Sequence, residues 1–390
     1  MASLDKLFSA SITFRDVSTD KLGELGRGVM ELVGVAPYFP KPLFALHTCN
    51  RVEVYAWDVP QHVVDAILSA YREFADRVTI RRGAEAALHL LEVAAGLDSM
   101  LIGETDILGQ LEEAFDEQVK KHIAREPLRT IIERAIRFGK AARTHTGISR
   151  GPRGLGSLSI IYVKEHFGEL SAMKIGVIGA GSVGQGLVKE LKDAGASEIY
   201  VLNRTFEKAS EVAAKYGARA MPLNEASVEE CLKTCDVVFA TAASFEPIIR
   251  SVPEGARVKA VVDLGVPGNV APGLPVKVVR LSDLEEIAAR YNKERAREVE
   301  RVRAMAVAEL EAVEKAVARR LVEAEIGEYM AYVQGILGEG ASADVAVKKA
   351  VLPLVEALQA LAERGMLEEA LEVVREARRR VRPREKTSTP

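Results

Sequence analysis

The chain has 390 residues, too many for one hydrophobic core, so two or three domains are expected. Hydrophobic residues make up 48% of it and charged residues 28%, which is typical of globular proteins. The net charge of −3 excludes a global basic field for nucleic acid, and neither a signal peptide nor a membrane span is expected. Three cysteines are too few for a disulfide framework, which favours a reducing, cytoplasmic location.

The first eighty residues predict a small unit of strands and helices. The predicted order is β-α-β-β-α-β, with strands at 9–14, 42–48, 51–57 and 77–80 and helices at 18–33 and 61–74. This order is typical of a ferredoxin-like fold. Within the third strand, apolar residues alternate with Arg51, Glu53 and Tyr55, as in a half-buried strand. Helical patterns then continue from residue 84 to 144.

The middle of the chain predicts a Rossmann domain. The glycine-rich run 146–157 predicts a flexible linker. Beyond it, a βαβ pattern places strands at 174–178, 198–202, 236–241 and 259–263.

The last third predicts helices only. Residues 284–325 lack glycine and proline and predict one long helix, and further helices are expected within 341–381. The long helix carries one apolar stripe, which needs a partner surface: Val299, Val302, Ala306, Leu310, Val313, Val317 and Leu321. We therefore divide the chain at 1–150, 158–282 and 283–390, and expect the last segment to form a homodimer.

The motif GAGSVG follows a predicted strand and opens a predicted helix. Gly179 permits the tight turn, Gly181 lets the backbone approach a pyrophosphate, and Gly184 lets helix and strand pack closely. The amide groups of the helix start favour phosphates. The motif therefore predicts dinucleotide binding by Gly179, Ala180, Gly181, Ser182, Val183 and Gly184.

The next strand ends in Asn203-Arg204-Thr205. An acidic residue there would favour the ribose hydroxyl of NAD, whereas Arg204 suits the 2′-phosphate of NADP. NADPH is therefore the expected cofactor, with Arg204 as a solvated surface residue the alternative.

The three cysteines differ in their settings. Cys231 and Cys235 are four residues apart at the end of a predicted helix, which favours buried, inert thiols over a metal pair. Cys49 lies between two predicted strands, in a turn with Asn50, where a thiol is exposed. Arg51 beside it would lower the thiol pKa and bind a carboxylate as a fork. A nucleophilic Cys49 and an NADP site together indicate redox chemistry on an acyl thioester.

Several segments resemble the glutamyl-tRNA reductase family. They are TCNRVEVY (48–55), HLLEVAAGLDSMLIGETDILGQ (89–110), RFGKAARTHTGIS (137–149) and GAGSVG with NRT, in the order that the family has them. The resemblance implies reduction of glutamyl-tRNA by NADPH to glutamate-1-semialdehyde, the first committed step of five-carbon tetrapyrrole (porphyrin) synthesis. It also implies a V-shaped homodimer and, as a further partner, the aminotransferase that takes up the labile aldehyde.

The resemblance also implies roles for individual residues. Cys49 takes the nucleophile position and His89 that of a histidine important for activity, as a thiol activator or proton donor. The glutamate pocket comprises Thr48, Asn50, Arg51, Ser99, Glu104, Thr105, Asp106 and Gln110. Asp106 departs from the glutamine that the family usually has and brings an acid close to the substrate carboxylate.

A basic stripe recurs every three residues on one predicted helix: Arg134, Arg137, Lys140 and Arg143. Arg150 and Arg153 follow in the linker. A solvated face and a tRNA phosphate contact both fit this pattern.

The sequence thus predicts a multidomain protein of α/β and α+β class. It comprises a ferredoxin-like catalytic domain, a Rossmann NADP-binding domain, a long linking helix and an all-helical dimerisation domain. The chemistry needs no metal, and the spacing of histidine, cysteine and acidic residues indicates no metal site. Two alternatives remain: an oxidoreductase resembling shikimate dehydrogenase, which uses a lysine–aspartate pair and no cysteine, and a non-catalytic tRNA-binding protein.

Overall fold

The computed structural model describes residues 4–34, 41–48, 50–242, 244, 246–265, 268–338, 342–363 and 367–381. The chain forms two compact units, residues 1–318 and 319–390. The first unit holds two sheets with their helices and most of a long helix. The second holds the end of that helix and two further helices.

The N-terminal sheet has four antiparallel strands in the order β2-β3-β1-β4, which is the ferredoxin-like order. Its apolar core packs under two helices that contact each other. The predicted β-α-β-β-α-β succession is therefore confirmed. The elements are β1 Leu7–Thr13, α1 Thr19–Gly34, β2 Leu43–His47, β3 Arg51–Trp57, α2 Gln61–Ala70 and β4 Thr79–Arg82.

Strand β3 differs from the half-buried strand that its alternation predicts, because all seven of its residues are buried. Helices α3 Gly83–Ala94 and α4 Asp106–Lys120 pack on the polar side of the sheet, and α5 Leu128–His145 packs against both of them. His89 on α3 reaches Glu53 on β3, with 3.1 Å between Nε2 and Oε1. Burial of this face is possible because its charged groups pair with one another.

The second sheet has six parallel strands in the order β10-β9-β8-β5-β6-β7, the doubly wound Rossmann order. The order in which successive strands are added to the sheet reverses between the neighbouring strands β5 and β8, and doubly wound sheets bind ligands at this switch point. The four predicted strands are confirmed, and two short edge strands join them. The elements are α6 Leu155–Phe167, β5 Lys174–Ile178, α7 Ser182–Asp193, β6 Glu198–Asn203, α8 Phe206–Tyr216, β7 Arg219–Pro222, α9 Glu225–Thr234, β8 Val237–Ala240, β9 Ala260–Asp263 and β10 Lys277–Val279.

Cys231 and Cys235 are both buried, with 3.7 Å between their sulfur atoms. The hydrogen bond that the Cys231 thiol donates to Cys235, together with burial, raises the pKa of Cys231. The prediction that both thiols are buried is confirmed.

The predicted long helix is α10, Leu281–Gly338. Most of its apolar stripe is buried within the chain itself: Val299, Val302, Ala306, Val313 and Val317. Ion pairs also join α10 to the N-terminal helices, from Arg303 to Glu92 on α3 and from Arg134 on α5 to Glu309. The stripe is therefore no argument for a dimer, because a lone chain already covers it.

Two side chains of α10 hold the glycine-rich run that the sequence predicts to be a flexible linker, and a third holds the neighbouring loop at Met100 and Ile102. Arg295 is buried and donates to the carbonyl oxygens of Arg150 and Pro152 and of Ile102. Glu298 accepts from the amide of Gly147. Asn292 bonds the amide of Ile102 and the carbonyl of Met100. The run is tethered along its length, because its polar backbone groups find partners on a neighbouring helix.

The second unit continues with α11 Ala343–Glu363 and α12 Leu367–Val381, which pack against each other. Both helices expose large apolar side chains, of which Leu352 is the most exposed at 58%. The others are Val345, Val351, Leu354, Val355, Leu371, Val373 and Val374. In the part of the chain that the structure describes, no helix is long and apolar enough to span a membrane.

Candidate active site

A cavity of about 200 Å³ opens between the N-terminal helices and the Rossmann sheet. It joins residues that the sequence assigned to two different sites. Asn50, Glu104, Asp106 and Gln110 come from the predicted substrate pocket, and Val183 from the predicted cofactor loop. The remaining wall is Leu155, Gly156, Thr241, Ala242, Leu264 and Gly265.

Cys49, the predicted nucleophile, lies outside the described residues. The strands on either side of it, β2 and β3, pair antiparallel as predicted. Its neighbour Thr48 is buried, and the Thr48 hydroxyl accepts from the amide of Asn50 at 3.1 Å. Asn50 is 3% exposed, and among the described residues its Oδ1 has no hydrogen-bond partner. An unsatisfied buried acceptor on a cavity wall is suited to a ligand donor.

Arg51 belongs to a buried ion cluster and is 0% exposed. Its Nη1 donates to Glu53 at 3.0 Å and to Asp98 at 3.1 Å, and its Nη2 donates to the Asp98 carbonyl at 2.7 Å. Nε has no partner within the described residues. The guanidinium group of Arg51, which we expected to bind a substrate carboxylate, therefore already contacts carboxylates of the protein.

Glu53 is the centre of that cluster. Burial alone raises the pKa of its carboxyl, but the charges of His89 and Arg51 and hydrogen bonds from His89 and Tyr55 hold the pKa well below its usual range. Ligand atoms of Glu53, His89 and Asp98 lie within 4.8 Å of one another, as in many metal sites. Here Arg51 supplies the positive charge, because its Nη1 contacts both carboxylates.

His89 therefore lies in the Arg51–Glu53 cluster, held by its contact with Glu53. Ser99 is also buried, and its hydroxyl interacts with the carboxyl group of Glu104 and lowers the pKa of that group. Thr105 precedes α4, and its amide and hydroxyl both donate to the Arg153 carbonyl. The lining of the 200 Å³ cavity includes Glu104, Asp106 and Gln110 but none of these three residues.

Three carboxyl groups, those of Glu104, Asp106 and Glu190, lie where the N-terminal helices meet the Rossmann domain. Burial and the charge of Asp106 raise the pKa of Glu104 to about 7. Burial also raises the pKa of Asp106, and burial with the Asp106 charge raises that of Glu190 to about 7. Asp106 and Glu190 share a neighbouring cavity of about 240 Å³. Sequence reasoning missed Glu190, because only the fold brings helix α7 to this position.

The glycine-rich loop has the geometry that a dinucleotide requires. Gly179 has a φ of 109°, which favours glycine, and a side chain at Gly184 would meet the Gly179 carbonyl oxygen at 2.0 Å. At Gly181 nothing lies within 4 Å of the position that a Cβ would take, so the backbone stays open to a ligand. Asn203 fixes the loop by accepting from the amide of Ala180 at 3.1 Å. The residues present fit a pyrophosphate group.

Arg204 lines a second, larger cavity of about 890 Å³ at the edge of the Rossmann sheet. Helix α9 forms one wall through Val228 and Leu232, and Ser244 and Arg250 lie on the other side. This cavity follows the second Rossmann strand, where the adenosine half of a dinucleotide binds. Thr205, which directly follows Arg204, immediately precedes helix α8, and its carbonyl oxygen accepts from the Asn203 side chain.

The predicted basic stripe on α5 is largely used within the molecule. Arg134 pairs with Glu309, and Lys140 pairs with Glu112. Arg143 donates to the carbonyls of Ala94, Gly139 and Glu104. Arg137 and Arg153 are exposed. Arg134 and Arg143 are thus engaged within the molecule, whereas Arg137 and Lys140 are exposed, so a phosphate contact by these two stays a prediction.

Sequence reasoning also missed Thr241 and Gly265. Each follows the carboxyl end of a parallel strand, β8 and β9 respectively, and such positions line the ligand crevice of doubly wound sheets. That positional signal would have identified both.

A Rossmann sheet with an open glycine loop, facing a buried polar pocket on a second domain, defines an oxidoreductase with a nicotinamide cofactor. The family model described as "Glutamyl-tRNAGlu reductase, N-terminal domain" matches residues 25–146, and "Shikimate / quinate 5-dehydrogenase" matches residues 162–289. The shikimate dehydrogenase alternative is not favoured, because that match is confined to the Rossmann part of the chain.

Relatives match over nearly the whole length. The chain is 49% identical over 387 residues to "Glutamyl-tRNA reductase 2" of Pyrobaculum arsenaticum, covering 96% of this chain and 94% of that one. It is 50% identical to the glutamyl-tRNA reductase of Pyrobaculum neutrophilum, covering 95% and 96%. The solved glutamyl-tRNA reductase from Methanopyrus kandleri superposes with a TM-score of 0.50 at 27% identity, covering 98% and 96%. The chain belongs to the glutamyl-tRNA reductase family.

Proposed function

We propose that this protein reduces glutamyl-tRNA to glutamate-1-semialdehyde with NADPH and releases tRNA, the first committed step of tetrapyrrole synthesis. The observation that carries the proposal is the shared cavity. Asn50, the neighbour of Cys49 in the chain, faces the same space as Val183 of the glycine loop. A nucleophile on one domain and a hydride donor on the other thus act on one acyl group.

The first step is acyl transfer to Cys49. Its thiolate attacks the ester carbonyl of glutamyl-tRNA, a C–S bond forms, the C–O bond to the terminal ribose breaks, and the ribose oxygen takes up a proton. His89, oriented by Glu53, is the proposed acid–base group. Glu104 is a second candidate, because it lines the cavity and its pKa of about 7 lets it hold a proton near neutral pH.

The second step is reduction of the thioester. NADPH bound at the glycine loop would supply the hydride for the carbonyl carbon. The resulting hemithioacetal on Cys49 collapses to the aldehyde and regenerates the thiolate, so no further reductant is needed. Gly179–Gly184 would hold the pyrophosphate and Arg204 the 2′-phosphate, supported by the open backbone at Gly181 and the cavity beside Arg204.

Selection of glutamate requires a cation for its γ-carboxylate, and Arg51 is our candidate. Of its two protein partners, Glu53 is wholly buried, whereas the Asp98 side chain is 27% exposed. The γ-carboxylate would therefore exchange with Asp98 and leave the pair with Glu53 intact. Thr48, Ser99, Thr105, Asp106 and Gln110 complete the proposed pocket.

The proposed assembly is a homodimer through the second unit. Its support is the exposed apolar surface of α11 and α12, since a monomer rarely leaves so many large aliphatic side chains in water. An aminotransferase that accepts the aldehyde is a further proposed partner. A cytoplasmic location fits the proposal, because Cys49 must remain a reduced thiol.

The test uses tRNA charged with labelled glutamate, with NADPH omitted. Thioester formation needs only Cys49 and the ester, so we expect label bound to the protein and released by hydroxylamine, with slow hydrolysis to glutamate. Cys49→Ser should lose reduction, because an oxygen ester accepts hydride poorly and an alkoxide is hard to form at neutral pH. Cys231→Ser is the matched control and should keep the label. No label on the unmodified protein, with glutamate release at background, would exclude the covalent route.

A further inference from the structure

Two buried polar residues at the carboxyl ends of the Rossmann strands have no part in the steps above. Asp263 is the last residue of β9, and Asn269 lies in the loop that follows. Asp263 is buried, and Asn269 is completely so. Buried polar side chains such as these hydrogen-bond to loop backbone, whose amide and carbonyl groups lack the partners that a helix or a sheet supplies.

Asp263 gathers the loop after β9. Its Oδ1 accepts from the amides of Gly265 at 3.2 Å and Asn269 at 3.0 Å, and its Oδ2 accepts from the amide of Val270 at 3.1 Å. Arg280 lies 3.9 Å from the same carboxylate. One carboxylate therefore joins Gly265 near the start of the loop to Asn269 and Val270 near its end.

Asn269 joins that loop to the one after β8. Its Oδ1 accepts from the amide of Ala242 at 2.9 Å, and its backbone oxygen accepts from the amides of Ile248 and Ile249. The Asn269 side chain also fills the space beside Gly265, where a Cβ would meet it at 2.6 Å. The two loops are therefore held at a fixed separation.

These loops form one wall of the active-site cavity, through Thr241 and Ala242 after β8 and Leu264 and Gly265 after β9. Thr241 further packs on the glycine loop, since a Cβ at Gly179 would meet its hydroxyl at 2.8 Å. The wall therefore continues from the pyrophosphate loop toward the substrate pocket, which is the side where the nicotinamide half must lie.

We propose that Asp263 and Asn269 are positioning residues that hold this wall in place for the nicotinamide half of the cofactor. Neither touches the reacting atoms. Asp263 acts through the amide of Gly265 and Asn269 through the amide of Ala242, and Gly265 must lack a side chain because Asn269 occupies its space. The inference rests on the proposed use of a nicotinamide dinucleotide.

The test separates the two halves of the cofactor. Binding of NADPH and of adenosine 2′,5′-bisphosphate, which lacks the nicotinamide half, is measured by calorimetry on the full-length protein. For Asp263→Asn, an isosteric change that turns one acceptor into a donor, we expect bisphosphate binding within about twofold of the unmodified protein. The ratio of the affinity for NADPH to the affinity for the bisphosphate should fall about tenfold or more, which is the effect of losing one charge-assisted contact.

The matched control is Asp236→Asn. Asp236 is also buried and also accepts a backbone amide, from Lys174 at 2.9 Å, but it lies at the opposite end of the same sheet. It should leave the ratio of the two affinities unchanged. Equal loss for NADPH and the bisphosphate in Asp263→Asn, or the same loss of ratio in Asp236→Asn, would overturn the inference.

A second readout uses the half-reaction without cofactor. Asp263→Asn should form the Cys49 thioester at the unmodified rate, while its reduction slows and shows a larger isotope effect with 4-deuterated NADPH. Asn269→Ala changes no charge and carries the same expectations, so it decides the question if Asp263→Asn does not fold. If the unmodified protein fails to reduce glutamyl-tRNA, the proposed function is wrong. The ratio of the affinities for NADPH and the bisphosphate still tests the inference in that case.

Discussion

The buried ion cluster on β3 gives a sharp prediction about stability. Replacing Arg51 by methionine keeps much of the volume and removes the permanent charge, which leaves the wholly buried Glu53 with only His89 and Tyr55 as partners among the described residues. Removing one member of a buried pair typically costs about 3–5 kcal/mol, because the remaining charge is uncompensated. We expect Arg51→Met to lower the free energy of unfolding of this domain by that amount.

The cluster supplies its own control. Arg15 also pairs with Asp98, at 2.6 Å, but its side chain is 48% exposed. Exposed pairs contribute about 0–1 kcal/mol, so Arg15→Met should change little. Adding Glu53→Gln to Arg51→Met removes the stranded charge and should recover part of the loss.

The assay is denaturant unfolding followed by tryptophan fluorescence. Trp57 is the only tryptophan in the chain and is buried at the end of β3, the strand that carries Arg51 and Glu53. Its signal therefore reports this domain. The reasoning is refuted if Arg51→Met costs no more than Arg15→Met, or if the double variant is no more stable than Arg51→Met alone.

Three further predictions concern the cofactor, pH and assembly. Arg204→Ala should raise the KM for NADPH about tenfold or more and leave that for NADH little changed, since one charge-assisted contact is worth about 1.5–3 kcal/mol; equal use of both cofactors by the unmodified protein would contradict this. The raised pKa of Glu104, about 7, means that the folded state holds a proton that the unfolded state has lost. Stability should therefore fall as pH rises from 5 to 8, by about 2–3 kcal/mol from this group, and Glu104→Gln should flatten the curve; identical pH profiles would rule it out. Ending the chain after Glu325 removes α11 and α12 and should give monomers in sedimentation; an unchanged dimer would place the interface elsewhere.

The Rossmann order was predictable because each of its cues is local. The apolar strand cores, the glycine loop and the helix start all lie within a few residues of one another, and the structure confirms them. The hairpin around residue 49 was predictable for the same reason: Leu43–His47 and Arg51–Trp57 are adjacent in the chain and pair antiparallel.

The ion-pair partners and the burial of individual charged residues were not predictable, because those partners are distant in sequence. The alternation on β3 suggests a solvated face, but α3 covers it, and Arg51 meets Asp98, 47 residues away. Arg134 pairs with Glu309, 175 residues away. A periodic row of arginines looks the same in sequence whether it faces phosphate, solvent or another helix.

The tether between α10 and the glycine-rich run changes where this protein should be divided. Arg295, Asn292 and Glu298 make residues 147–152 and the loop at Ile102 parts of one hydrogen-bonded assembly, so the run is an integral piece of the catalytic domain rather than a joint. A separately expressed N-terminal fragment would lose the donors that satisfy its own backbone carbonyls. A protein engineer exchanging Rossmann domains should place the upstream junction within helix α6 and keep the first five turns of α10, which include Glu298, with the catalytic half.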